Sequence, residues 1–229
     1  MSDGYTIQRS ARRTISIVVK DGAVIVKVPN EYDSSPRLRQ HVEDFLRRKS
    51  GWIERKLTET ARNREELLPG LGGNAVYLFG YPAEVLYDPA SRATRFDGRT
   101  LRLPVAHDDA GKRLILARWY KKIAKKELSS RLRRMADTTG YTYASFALSS
   151  AKGKWGSCAD DGVIRLNYRL AALPERLIDY VILHELCHTA EMNHSEKFWK
   201  RVGYFMPDCK ARRKELDRYR FVMDLIEYV

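Results

Sequence analysis

The stretch HELCHTAEMNHSEKFW, His184 to Trp199, constrains this chain more than any other part of it. His184 and His188 stand four apart, so on an α-helix their side chains are about 40° apart in rotation and one turn apart along one face. Two imidazoles placed that way can bind a single metal ion. Glu185 lies about 60° around the helix from His188. It is too tied to the backbone to replace a histidine, yet close enough to reach a water in an open coordination position. H-E-x-x-H therefore means two ligands and a general base on one helix. Ile178, Val181, Ile182, Leu183 and Leu186 make that helix apolar on most sides, so it belongs in a core. Imidazole and carboxylate groups on a buried helix are costly unless they pair or coordinate something. A metal ion resolves that cost.

Two residues compete to be the third ligand. Glu191 lies near the His184/His188 face if the helix persists that far. His194 would sit about 240° away from His188 on a continuing helix, so it can bind only if the helix stops and the chain turns back. Asn193 offers a left-handed residue to end the helix, and Ser195 a cap for a new one through EKFWKRV. Three imidazoles and a water form a zinc-type catalytic set, and the expectation is one zinc per chain. Iron and nickel also accept imidazole.

Elsewhere strands come first and helices later, an α+β pattern. RTISIVVKDGAVIVKVP reads as two β-branched runs joined by an Asp21-Gly22 hairpin turn, and Asp97-Gly98 marks another. From Pro36 to Leu68 the apolar spacing is helical, with a break between two helices expected at Ser50-Gly51. NAVYLFGYPAEVLYD and ATRFDGRTLRLPV return to strand patterns. Near residue 106 the pattern changes, and a basic amphipathic helix is expected from about Gly111 to Ala136. Two strands, YASFALSS and VIRLNYRLAAL, flank AKGKWGSCADDG, and Pro174 opens the histidine-bearing helix. This divides the chain into a β-rich N-terminal accessory region with a helical segment, 1–105, and a metal-binding catalytic domain, 106–229.

The formal net charge is +13, spread along helices rather than gathered in one tail. It suits phosphorylated small molecules, nucleic acid or acidic proteins, and equally a solvated, self-repelling surface. Three cysteines without paired spacing point to reduced thiols and a cytoplasmic compartment. No stretch approaches the ~20 apolar residues of a membrane span, and no secretory signal is visible.

KWGSC (Lys154 to Cys158), GVIRLNYRLAALPERLIDYVILHELCH and NHSEKFWKRVGYFMPD together resemble the YgjP-like metallopeptidase-domain family, a zincin group distantly akin to the SprT-like proteases. RRTISIVV and FLRRKSGWIERKL extend the resemblance over nearly the whole chain. It implies a minimal zincin-type domain with a small sheet and an active-site helix. His184, His188 and His194 would then be zinc ligands and Glu185 the catalytic glutamate. Lys154 departs from the arginine more common before WGSC and lacks its planar fork.

Trp155, Gly156, Ser157 and Cys158 fall between two strands. They read either as an edge beside the metal, where an extended substrate could pair, or as a tight connection with a packed tryptophan. Lys154 to Ser157 and Tyr180 are candidate substrate contacts, although Tyr180 also suits the core. Asp208 could orient a ligand histidine or cap a helix. Cys187 reads as a small buried apolar residue, and His41 and His107 as surface or packing residues. Tyr168, Tyr180 and Lys154 are candidate oxyanion donors.

The expected activity is a zinc-dependent hydrolase, most simply a metallopeptidase acting on a peptide or protein. The alternatives are a nucleotide pyrophosphatase, which attacks phosphorus with the same device, and a protease recruited to nucleic acid by its basic face.

Overall fold

The computed structural model describes residues 4–20, 22–70, 75–105 and 108–225. His107, Asp21 and the expected domain boundary at 105/106 touch positions outside that set. The chain separates into two compact units, Met1–Leu67 and Leu68–Val229.

In the first unit, β1 (Tyr5–Ser10), β2 (Ser16–Lys20) and β3 (Ala23–Pro29) form a sheet in the order β1-β3-β2. The β2–β3 pair is the expected hairpin, with Lys20 opposite Ala23 and Gly22 at φ 74°, a conformation glycine adopts without steric cost. Val26, Val28 and Val42 make the buried cluster, with Tyr5, Ile7 and Leu46 packed on it. The helix α1 (Pro36–Leu67) is unbroken, which corrects the expected stop at Ser50-Gly51. Ser50 Oγ donates to the Arg47 carbonyl one turn back, sharing an acceptor whose second lone pair leaves room for the helical bond. A glycine inside a helix costs only about 1 kcal/mol, which a long helix absorbs.

Among the described residues, the second unit holds two sheets and the remaining helices. β4 (Ala75–Leu78), β5 (Tyr81–Asp88), β6 (Arg95–Phe96) and β7 (Thr100–Pro104) pair in the order β4-β5-β7-β6. Asp97-Gly98 is the turn between β6 and β7: the Asp97 carboxylate accepts from the amides of Arg99 and Thr100, and Gly98 has φ 97°. β8 (Ser145–Ser149), β9 (Gly156–Cys158) and β10 (Val163–Asn167) form the second sheet, with β10 in the centre and β9 at an edge. Thus VIRLNYRLAAL is strand only as far as Asn167; Tyr168–Ala172 wind into a buried 3-10 turn.

The β4–β7 sheet belongs to the same unit as the histidine-bearing helix, whereas the sequence pattern assigned it to the N-terminal region. The reason is a pair of buried anchors. Tyr120, on α2 (Asp109–Thr139), donates its hydroxyl to the Tyr77 carbonyl at 2.7 Å and accepts from the Tyr77 amide at 3.1 Å. The β4–β5 turn then docks Phe79 N on the Ala171 carbonyl at 2.7 Å. Its Gly80 has φ 89°, and a Cβ there would come within 3.0 Å of Pro174, the residue preceding α3 (Glu175–His188). A local pattern cannot reveal such long-range bonds. Across α2 and α3, Arg131 is 9% exposed and pairs with Glu127, Glu175 and Asp179 at 2.8–3.1 Å. Among the described residues no helix is long and apolar enough to cross a membrane, and all three cysteines are free.

Candidate metal centre and its cleft

α3 carries the motif through the core: Leu177, Ile178, Ile182, Leu183 and Leu186 are fully buried. It ends at His188. Thr189 follows in right-handed geometry, with its Oγ1 donating to the Leu186 carbonyl at 2.8 Å, and the Glu191 amide returns to the Cys187 carbonyl. Asn193 does not adopt the expected left-handed conformation; among the described non-glycine residues only Phe79 has positive φ. Instead its side-chain oxygen accepts from Ser195 N at 3.0 Å, a local turn that delivers the chain to α4 (Glu196–Phe205). Ser195 caps α4 as expected, accepting from the Phe198 amide at 3.3 Å.

The return brings His194 back. His184 Nε2 lies 3.2 Å from His188 Nε2 and 3.0 Å from His194 Nε2. Nitrogens so spaced match ligands about 2.0–2.1 Å from one shared tetrahedral ion. His188 Nδ1 lies 3.0 Å from the Glu191 carbonyl, a contact in which Nδ1 carries the proton and leaves the Nε2 lone pair free. Glu191 therefore serves the cluster through its backbone, and its carboxylate is not part of it. Phe198 stacks on His188 at 4.4 Å between centroids and Trp199 on His194 at 5.7 Å. Burial, reinforced by the other two imidazoles and by Arg213, lowers His184 to about 3, so its ring is neutral at physiological pH. Burial lowers His188 as well. Three converging imidazole nitrogens are a donor set for a borderline cation.

Glu185 is 6% exposed and lies against β9. Its pKa is pushed up to about 7, chiefly by burial, against the pull of Lys154 and of a hydrogen bond from the Cys158 amide. Gly156 explains how the carboxylate fits. A Cβ at that position would lie 2.6 Å from Glu185 Oε1 and 2.7 Å from its Cγ. Ahead of β9, fully buried Asn167 donates Nδ2 to the carbonyls of Ala151 and Lys154 at 2.7 and 3.1 Å. That bond fixes the loop carrying Lys154 and Trp155.

A cleft of about 250 Å³ opens beside this centre. Lys154, Trp155 and Gly156 line one side, and Tyr180, His184 and Glu185 come from α3. Arg213 and Asp217, on α5 (Cys209–Arg218), and Arg220 complete it. The structure thus brings together all four residues of the expected metal and base set and three of the four expected contacts in KWGS. Ser157 is outside the lining; it pairs opposite Arg165 on the alternate position of the strand from Gly156. Tyr180 is 3% exposed and still meets the cleft, while Tyr168 does not. Asp208 stands at the N-cap position of α5 without a capping bond, and its carboxylate accepts from Arg212 at 2.8 Å. It makes no bond to a histidine; its partner is Arg212, one turn along the helix. Cys187 is fully buried, as expected, and burial raises its thiol to about 11. The sequence pattern gave no sign of Arg213, Arg220, Asn167 or the Trp199 stack, since each reaches the site through packing.

The family model for the YgjP-like metallopeptidase domain matches residues 13–219. The chain belongs to that family. It is accordingly a metal-dependent hydrolase with an α+β fold. No curated protein matches it. Among solved structures it is similar to the metallopeptidase zymogen abylysin of Pyrococcus abyssi, with 23% identity and TM-score 0.36, covering 39% of this chain and 90% of that one. The jannalysin zymogen of Methanocaldococcus jannaschii is 20% identical at TM-score 0.36, covering 40% and 94%.

Proposed function

We propose that this protein is a zinc metallopeptidase in which His184, His188 and His194 hold one zinc ion and Glu185 is the general base. The observation that carries the reading is the convergence of the three Nε2 atoms beside a buried carboxylate of the same helix. A zinc ion there would acidify a water and polarise a scissile carbonyl. Glu185 takes the proton and returns it to the leaving amine; burial raises this carboxyl and so favours its accepting the proton. The amide of Cys158 steadies it, and Gly156 leaves room for it. Tyr180, whose hydroxyl burial raises to about 12, stays protonated and can donate to the developing oxyanion. The substrate lies extended along β9, whose position at the sheet edge leaves backbone groups to pair with a peptide.

The test is metal analysis followed by peptide-library cleavage. About one zinc per chain is expected, lost in His184→Ala, and cleavage should vanish in Glu185→Gln while zinc is retained. Protein that carries no tightly bound metal, or that cleaves only nucleoside triphosphates, refutes the reading.

A further inference from the structure

Beside α3 the cleft carries more positive charge than the hydrolytic machinery accounts for, Lys154 drawing on Glu185 and Arg213 on His184. Lys154, Arg213 and Arg220 line it against one carboxylate besides Glu185, that of Asp217. Among the described residues none of the three cations makes an ion pair; the other arginine of α5 near the site, Arg212, is bound to Asp208. Arg213 is held in place all the same. Its guanidinium lies over the Trp199 ring at 5.1 Å, and Trp199 stacks on His194. A guanidinium lying on an aromatic face keeps its N–H edge for a second partner, the arrangement that receives carboxylates in bidentate fashion. The cations thus sit in a concave wall adjoining Glu185 and His184, where a bound peptide would pass. Unpaired like charges in a cleft repel one another until an anion enters.

Resting on the peptidase reading above, we propose that the cleft selects peptides bearing a carboxylate near the scissile bond, received by Arg213 and Arg220 with help from Lys154. The carboxylate belongs to an Asp or Glu side chain or to a free C-terminus.

The experiment uses zinc-loaded Glu185→Gln protein, which binds without turnover. It is titrated with fluorescent pentapeptides that carry Asp or Glu, their amides, or Lys, each as the free acid and as the C-terminal amide. The carboxylate peptide is expected to bind about tenfold tighter than its isosteric amide. Arg213→Gln and Arg220→Gln should each remove about three- to tenfold of that preference and leave the neutral peptide within twofold. Arg213→Lys should restore part of it. Raising salt from about 0.05 to 0.5 M should shrink the preference, since the wall is exposed. Which of the two peptide series carries the effect tells side-chain from C-terminal recognition. Equal binding of acid and amide peptides overturns the proposal, as does a preference that survives the Arg213→Gln/Arg220→Gln double variant. ATP competing more strongly than the best acidic peptide also overturns it. Failure of the wild-type zinc protein to cleave a peptide that the Glu185→Gln protein binds selectively refutes the peptidase reading and leaves the carboxylate pocket standing.

Discussion

Gly156→Ala tests the closest contact in the site. The added methyl would lie 2.6 Å from Oε1, 2.7 Å from Cγ and 2.8 Å from Cδ of Glu185, and relief to ordinary contact requires a shift of nearly 1 Å. The carboxylate cannot swing away freely, because it is 6% exposed and tied to the Cys158 amide. Forcing a methyl into such a site costs about 1–3 kcal/mol, and misplacing a catalytic group by ~1 Å costs about 100-fold in rate. A double-mutant cycle isolates the contact without needing a known substrate. Urea unfolding at fixed zinc should give a loss of about 1–3 kcal/mol for Gly156→Ala when Glu185 is present. In a Glu185→Ala background the clash has no partner, and the same change should be neutral or stabilise by up to ~1 kcal/mol through lost unfolded-state freedom. Peptide cleavage, where measured, should fall about 100-fold with zinc content unchanged. Equal costs in the two backgrounds would refute the argument that glycine is there to admit the glutamate.

Three further outcomes follow from buried polar groups. Tyr120→Phe should cost about 1–3 kcal/mol near neutral pH, because the Tyr77 amide and carbonyl lose their partner in a fully buried position. Burial raises the folded-state pKa of Tyr120 above the ordinary value near 10, so the native state resists ionisation that the unfolded chain accepts. Its contribution is therefore complete below about pH 10 and falls by up to ~1.4 kcal/mol per pH unit above it. Urea midpoints between pH 8 and 11 should show a shallower alkaline decline in the Phe variant. Asn167→Ala should unfasten the 151–154 loop and raise amide exchange there while leaving zinc stoichiometry intact. Arg131→Ala should cost about 2 kcal/mol by urea titration, below the full price of a buried pair because Glu127, Glu175 and Asp179 keep 31–54% exposure.

How much of this was legible beforehand depends on the range of the interaction. The four-residue spacing of His184 and His188 is a property of any α-helix, so their shared face followed from the sequence alone. So did the glycine turns at Gly22 and Gly98 and the Ser195 cap, each a bond to a near neighbour. Local preference misled where the surroundings outweighed it. Gly51 left α1 unbroken, Asn193 turned the chain with its side chain rather than its backbone, and Asp208 found Arg212 in place of a histidine.

The sequence by itself determined the donor types, the helix that aligns two of them and the need for a turn before His194. Tertiary structure alone decided that Gly156 lies under Glu185, that Asn167 fastens the loop before it, and that Arg213 and Arg220 face the same cleft. These residues come from separate strands and helices, and no periodicity records a contact between elements. Only the packing of β9 and α5 around α3 sets the distances on which the site's electrostatics depend, because Coulomb energies follow separation in space and not along the chain.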